Sequence, residues 1–280
     1  MSLDLDSVGR QSAAEPFSWT ERDTLLYAVS VGAGQAPDQE LALTTENTEG
    51  VEQSVVPSFA AVVSQQVLRP SIGDFDRSQL VHAEQRFELH RPLTPAGAVI
   101  STARVADIED KRSGALVWTE TQTVDAETGE PWITSLSASF IRGEGGFGGG
   151  PSSLSQPWEP RLEAPDHEVA LQLRPEQALL YRLNGDRNPL HSDPSFAERG
   201  GFERPILHGM CTFGFTCRAL IATMGGPPES MRSMGGRFTA PVLPGDSLTV
   251  QVWRDGSSAS FRTLRGDGTV VIDRGTAVFG

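Results

Sequence analysis

The chain has 280 residues, 38% of them hydrophobic, and its 36 acidic and 23 basic residues give a formal net charge of −13. This length predicts about two domains, with enough apolar content for ordinary buried cores. The acidic excess disfavours nucleic acid and anionic membrane surfaces as partners, because both repel a negatively charged protein.

Several signals of location are absent from the sequence. No apolar run approaches the ~20 residues of a membrane-spanning helix, so no membrane association is predicted. The first 15 residues contain acids and no apolar core, unlike a secretory signal, and the C-terminus does not resemble a peroxisomal address. Cys211 and Cys217 cannot form a disulfide scaffold and are interpreted as small buried side chains. The expected location is the cytoplasm.

The predicted elements of the first half are two helices followed by four strands. The first helix is expected from Thr20 to Val31, with Thr20 as its N-cap and Gly32 at its end. An apolar helix is expected from Pro57 to Leu68. Alternating apolar and polar residues then predict strands at 82–91, 98–107, 115–124 and 132–142.

The middle of the chain is rich in glycine, serine and proline, and residues 144–160 are therefore predicted to be a linker. The second half begins with a short helix that ends near Leu183, followed by a polar loop. The helix predicted from Gly209 to Met224 is apolar nearly all round, which is typical of a helix buried on most faces. Further strands are expected at 236–240, 247–254, 258–264 and 270–279.

Short segments of the first half recur in the second in the same order, at a spacing of about 150 residues. Pro57 corresponds to Pro205 at the start of each apolar helix, and Arg86-Phe87 corresponds to Arg237-Phe238. This repeat predicts an α+β fold made twice, in which each antiparallel sheet wraps around a helix. The predicted domains are an N-terminal domain at 1–143 and a C-terminal domain at 161–280.

The segment from Tyr181 to Pro194 carries the most informative chemistry. It places Asp186, Asn188 and His191 on a loop that is dense in turn-forming residues. Seen alone, such a loop is more often a polar surface turn than a site. The first half, however, has the apolar helix without this loop before it, which favours a functional site in the second half.

Residues 183–191, followed by Asp193-Pro194, resemble the hydratase 2 motif of MaoC-like enoyl-CoA hydratases. Residues 205–209 and 80–85 resemble further elements of that family. The resemblance implies a tandem double hot-dog fold, with two antiparallel sheets each wrapped around a long central helix. The sequence departs from the family pattern at Asn184, where Ser or Thr is usual, and at Ala83, where Gly often follows the histidine.

The resemblance implies an enzyme that reversibly hydrates a trans-2-enoyl-CoA to a (3R)-3-hydroxyacyl-CoA in fatty-acid or sterol side-chain type metabolism. Asp186 and His191 would hold the water, Asn188 would orient it, and the N–H of Gly209 would bind the thioester oxygen. The first half, with Ala61 in place of that glycine, would accommodate the acyl chain without catalysing. A homodimer is expected, and no cofactor beyond the coenzyme A of the substrate.

A set of further residues is expected to bind the substrate by the same resemblance: His82, Ala83, Lys111, Gly185, Arg187, Pro189, Leu190 and Phe238. For three of them the sequence leaves a structural alternative open. His82 is equally well explained as a half-buried strand histidine, Lys111 as an exposed charge in a turn, and Phe238 as part of the core. For His208 a capping or packing role is predicted. No group of residues has metal-ligand spacing, so no metal site is predicted.

Other functions remain open at this point. The same site could work in the dehydratase direction, a thioesterase could use the same fold, and a non-catalytic protein could simply bind acyl-CoA. The sequence does not decide whether Asp186 or His191 is the formal base, and it does not reveal the length or bulk of the acyl group.

Overall fold

Ten antiparallel strands form the framework of the part of the chain that the structure describes. The structure is a computed structural model that describes residues 2–36, 38–155, 158–159 and 161–280. The elements of the first half are β1 (Glu15–Trp19), α1 (Glu21–Ser30), α2 (Leu41–Thr44), α3 (Phe59–Ser64), β2 (Leu80–Leu89), β3 (Gly97–Asp110), β4 (Gly114–Asp125) and β5 (Pro131–Arg142). Those of the second half are β6 (His167–Gln172), α4 (Gln177–Tyr181), α5 (Pro194–Arg199), α6 (Gly209–Met224), β7 (Met231–Phe238), β8 (Ser247–Asp255), β9 (Ser258–Arg265) and β10 (Val270–Phe279).

The strands form one sheet in the order β1-β3-β4-β5-β2-β7-β10-β9-β8-β6. The two halves meet where β2 pairs with β7, with Arg86 opposite Gly235 and Phe87 opposite Met234. Backbone hydrogen bonds therefore continue from one repeat into the other. None of the helices described is long and apolar enough to cross a bilayer.

The central helix of the second half, α6, has the predicted bounds. Its residues are apolar nearly all round, and Phe213 and Phe215 are completely buried in the main core. A Cβ on Gly214 would lie 2.4 Å from a methyl carbon of Val31, so glycine allows α1 to approach closely. The helix ends at Gly225, whose φ of +78° is the left-handed conformation that favours glycine.

The corresponding helix of the first half is much shorter than predicted. α3 spans Phe59–Ser64, all six residues are buried, and the chain leaves the helix at Gln65. Two features of the sequence act against a longer helix. The valines in this segment are β-branched and lower helix propensity, and Pro70 disfavours helical backbone at the residue before it. The irregular segment that follows turns Gln66 and Arg69 toward a cavity.

The first predicted helix is confirmed, and its start has a capping box between Thr20 and Asp23. Strands β1 and β6 were not predicted. Each is short and lies at one edge of the sheet, and its alternation of half-buried and exposed residues extends over only five or six positions. Pro16 is tolerated in β1 because an edge strand does not need every N–H for pairing.

The segment between the halves is irregular, as predicted, but it is held against the sheet. The carboxylate of Asp110 accepts hydrogen bonds from the backbone N–H of Gly146 (2.9 Å) and Gly148 (2.6 Å). Leu154 packs on a small apolar cluster that contains Trp118. The last part of the predicted linker includes Gln156, Pro157 and Pro160, which lie outside the described residues.

Candidate active site

A cavity of about 540 Å³ lies where the two halves meet, between the end of α3, β2, the polar loop, the start of α6 and β7. Its walls come from both repeats. Eight of the twelve residues predicted for the site line it: His82, Gly185, Asp186, Asn188, Leu190, His191, Gly209 and Phe238.

The polar loop is folded by its own side chains. Gly185 has a φ of +117°, which favours glycine, and reverses the chain after α4. The carboxylate of Asp186 then accepts a hydrogen bond from the N–H of Asn188 (3.1 Å), and the side-chain oxygen of Asn188 accepts one from the N–H of Leu190 (3.0 Å). These two turns bring Asp186 and His191 to the same side of the loop. Asn188 thus has a capping role in the loop in addition to facing the cavity.

The imidazole of His191 has one nitrogen fixed by the fold. Its Nδ1 lies 2.9 Å from the carbonyl oxygen of Ile206, and because a carbonyl only accepts, Nδ1 carries the hydrogen. In the neutral ring, Nε2 therefore keeps its lone pair. Burial lowers the pKa of His191 below its usual value, although the nearby Asp186 carboxylate acts in the opposite direction. The ring is accordingly a neutral base at pH 7.

The polar atoms of Asp186, His191 and His208 all lie within 4.8 Å of one another. One water that makes hydrogen bonds of about 2.8 Å to two groups spans roughly 4.5 Å between them at a tetrahedral angle. The spacing of the Asp186 carboxylate and the His191 imidazole therefore suits a shared water.

The backbone of Gly209 faces the same cavity. Gly209 is the first residue of α6, where the N–H groups of a helix have no partner within the helix and carry partial positive charge. In the described parts of the chain, no protein group accepts a hydrogen bond from this N–H. A Cβ at this position would lie 3.3 Å from the Phe238 ring, so glycine leaves room between the backbone and the cavity wall.

His82 and Phe238 form a neighbouring part of the wall, with ring centroids 5.1 Å apart. The Nε2–H of His82 donates to the backbone oxygen of Glu84 (3.0 Å). Burial and the positive charge of Arg69 lower the pKa of His82 to about 4, so this ring is also neutral at pH 7. Both residues lie where a substrate in the cavity would touch them.

Four predicted substrate-binding residues are not brought to this cavity: Ala83, Lys111, Arg187 and Pro189. Ala83 lies at an irregularity in the pairing of β2 with β5 and packs on the small apolar cluster that contains Trp118. The ammonium group of Lys111 pairs with Glu109 (2.5 Å) beside a separate cavity of about 80 Å³. Arg187 and Pro189 are exposed on the outside of the loop.

Asn184, which departs from the family pattern, joins the loop to the first half. Its amide donates hydrogen bonds to the hydroxyl of Ser30 (2.8 Å) and to the backbone oxygen of Tyr181 (2.8 Å). The longer amide side chain reaches across to α1, which explains how Asn can replace a hydroxyl residue here.

Four groups of the site were not predicted from the sequence to have a function. Tyr181, Arg69 and Arg142 line the cavity, and His208 stacks on His191. The turn chemistry of the loop indicated Asp186 and His191. Nothing local marks the others, because their approach depends on how α3, β5 and α6 pack together.

Asp186, His191 and His208 are also the only group of three His, Cys, Asp or Glu residues within the described ranges whose spacing could suit a metal ion. The two imidazoles are nearly parallel, with an interplanar angle of 26°, so their in-plane lone pairs do not converge on one point. This geometry disfavours a shared ion, since imidazole ligands bind metals through in-plane lone pairs.

Comparison with known proteins gives matches along both halves. The description MaoC like domain matches residues 160–275, and MFE-2 hydratase 2 N-terminal domain matches residues 17–143. The 3-hydroxyacyl-thioester dehydratase Y of Mycobacterium tuberculosis is 41% identical over 290 residues, covering 100% of this chain and 99% of the relative. Enoyl-CoA hydratase ChsH3 of the same organism is 42% identical over 265 residues, covering 91% of each.

Solved structures support the fold. The MaoC-like dehydratase from Phytophthora capsici superposes with a TM-score of 0.88 at 29% identity, covering 99% of this chain and 98% of that one. A Mycobacterium tuberculosis protein described as having a double hotdog fold superposes with a TM-score of 0.60 at 14% identity, covering 99% and 98%. The predicted tandem double hot-dog is thus confirmed, and the chain belongs to the hydratase 2 family of MaoC-like proteins.

Proposed function

We propose that the protein is an enoyl-CoA hydratase of the hydratase 2 type, which adds water to a trans-2-enoyl-CoA to give the (3R)-3-hydroxyacyl-CoA and also catalyses the reverse dehydration. One observation carries the proposal: the Asp186 carboxylate and the His191 imidazole lie within 4.8 Å of each other in a cavity that is also lined by Gly209, whose N–H has no acceptor among the residues described. The named activities of the relatives agree with it.

The three groups divide the reaction between them. The water oxygen forms a bond to Cβ while Asp186 and His191 accept one of its protons, and the pair returns one proton to Cα. The electrons of the double bond move transiently toward the thioester oxygen, where the N–H of Gly209 stabilises the negative charge. Protons and charge therefore balance without an additional cofactor in the proposed reaction. We further propose that the protein acts as a cytoplasmic homodimer in fatty-acid or sterol side-chain type metabolism.

Purified protein incubated with trans-2-enoyl-CoA esters of varied acyl length and bulk tests this function. We expect the absorbance of the conjugated enoyl thioester to fall and chiral analysis to identify the (3R) product. Release of free coenzyme A without a hydroxyacyl product would instead indicate a thioesterase. Tight binding with unchanged absorbance would indicate a non-catalytic binding protein, and either result would contradict the proposal.

Two arginines of the cavity wall are the groups best placed to bind the phosphates of coenzyme A. Arg69 and Arg142 are exposed at the cavity, and neither has an ion-pair partner among the residues described. Arginine binds phosphate well because its planar guanidinium donates several parallel hydrogen bonds. Lys111, the cation expected from the sequence, lies elsewhere and is already paired.

We expect Arg69→Gln and Arg142→Gln each to raise KM for an enoyl-CoA about 5- to 30-fold with little change in kcat, as expected for a lost charged hydrogen bond of about 1–2 kcal/mol. The same variants should behave normally with an enoyl thioester of N-acetylcysteamine, which carries no phosphate. Lys111→Gln is the matched control and should leave KM unchanged. Equal effects on both substrates, or an equal effect of the control, would contradict this assignment.

A further inference from the structure

We infer that His208 is a positioning residue that fixes the relative positions of the Asp186 carboxylate, the His191 imidazole and the N–H of Gly209. The inference rests on the proposed function, and it assigns a task to a residue for which the sequence predicted only capping or packing. His208 itself is not required to exchange a proton.

His208 contacts all three groups directly. Its Nε2–H donates to the backbone oxygen of Asp186 at 3.3 Å. Its ring stacks on that of His191, with centroids 3.7 Å apart and an interplanar angle of 26°. It is the N-cap residue of α6, so one peptide bond joins it to Gly209. One rigid imidazole thus links a loop residue, a base and a helix start.

Packing alone does not account for an imidazole at this position. His208 is 1% exposed. Its ring contacts the ring of Tyr181, with centroids 4.9 Å apart. Its buried Nδ1 has no hydrogen-bond partner within the described residues. An unpaired buried nitrogen is unfavourable, so a phenyl ring would pack there at lower cost to folding. The feature that a phenyl ring lacks is the donor to Asp186.

The N–H donor of His208 restrains the loop at Asp186, which is the part of the site with the fewest other contacts. Asp186 lies on a loop of turns and is only half-buried, whereas His191 is already anchored at Ile206. A displacement of about 1 Å in a reacting group can cost on the order of 10²-fold in rate. The bond from His208 fixes the backbone at Asp186, and the stacked face fixes the plane of the His191 ring.

The ionisable groups that face His208 are His191, Asp186, Tyr181 and Arg182. Burial and the neighbouring His191 lower the pKa of His208 to about 3, so its ring stays neutral at any pH at which the enzyme would be assayed. The neutral face also covers His191 and excludes water from one side of it. Removing that face should therefore raise the pKa of His191 toward its usual value.

Two variants separate the hydrogen bond from the stacking. His208→Phe keeps an aromatic face but loses the donor, and we expect kcat to fall about 10- to 100-fold with little change in KM and no shift in the acid limb of the pH profile. His208→Gln keeps an amide donor at the position of Nε2 but loses the face. We expect it to retain more of kcat than the Phe variant, with the acid limb moved to higher pH.

His167→Phe makes the same chemical change at an exposed position of β6 and should leave both measurements unchanged. Circular dichroism and the thermal midpoint verify folding. The inference is overturned if a folded His208→Phe variant keeps the parental kcat, or if both His208 variants lose activity equally with the parental pH profile.

Titration of the His191 ring by NMR does not depend on turnover. Its pKa should rise in His208→Gln and stay constant in His208→Phe, and an unchanged pKa in both variants would contradict the assigned contacts. If the parent protein fails to hydrate enoyl-CoA, the proposed function fails, while this titration still tests the role of His208.

Discussion

Replacing Asp186 by asparagine should lower kcat for enoyl-CoA hydration by about 10²- to 10⁴-fold, the usual range for loss of a general acid–base group. Asparagine has nearly the same shape, and its side-chain oxygen can still accept the hydrogen bond from the N–H of Asn188 that folds the loop. The amide, however, cannot take a proton from the water. We therefore expect normal folding, a similar KM and a large loss in kcat, measured at saturating substrate.

Asp193→Asn is the matched control. This carboxylate lies seven residues further along the same segment, caps α5 through the N–H groups of Ser195 and Phe196, and does not line the cavity. Asparagine is as good an N-cap as aspartate, so the control should keep its activity and stability. A folded Asp186→Asn variant that keeps more than about a tenth of the parental kcat would exclude Asp186 from proton transfer.

Replacing Gly209 by proline should lower kcat by about 10²- to 10³-fold, because it removes the N–H that we assign to the thioester oxygen. The substitution suits the backbone. Proline is favoured at the first position of a helix, and the preceding His208 has φ −58° and ψ 131°, the extended conformation that a residue before proline adopts. The helix should therefore form as in the parent, which the thermal midpoint can verify.

Gly209→Ala separates the lost donor from the added bulk. Alanine keeps the N–H and places a Cβ 3.3 Å from the ring of Phe238, which must move by a few tenths of an ångström. We expect the alanine variant to retain far more of kcat than the proline variant. Similar losses in both would attribute the effect to crowding at Phe238 and would remove the N–H of Gly209 from the mechanism.

Some elements could be predicted from the sequence and others could not, for physical reasons. α6 was predicted with its correct bounds because its burial on nearly every face gives an apolar composition and Gly225 ends it. Asp186 and His191 were recognisable because both lie on one loop whose turns are encoded locally. The length of α3 was predicted wrongly, since its apolar composition reflects burial and not how far the helix continues.

Contacts between distant segments had no local signal. His208 is 17 residues from His191, and only the fold brings their rings face to face. Lys111 is the only lysine of the sequence and was expected to bind the substrate, but its place in the turn between β3 and β4 pairs it with Glu109, away from the main cavity. Arg69 lies in the irregular segment after α3 and lines the cavity.

Because β2 pairs with β7, each repeat depends on the other to complete its sheet. Without residues 1–143, β7 would become an open edge with unpaired backbone groups, and the reacting loop would lose both the wall at His82 and its tether at Ser30. The first repeat therefore supports the site through its shape, although the loop with Asp186 and His191 lies in the second. The second repeat expressed by itself would therefore have an incomplete active site and an exposed sheet edge that favours aggregation.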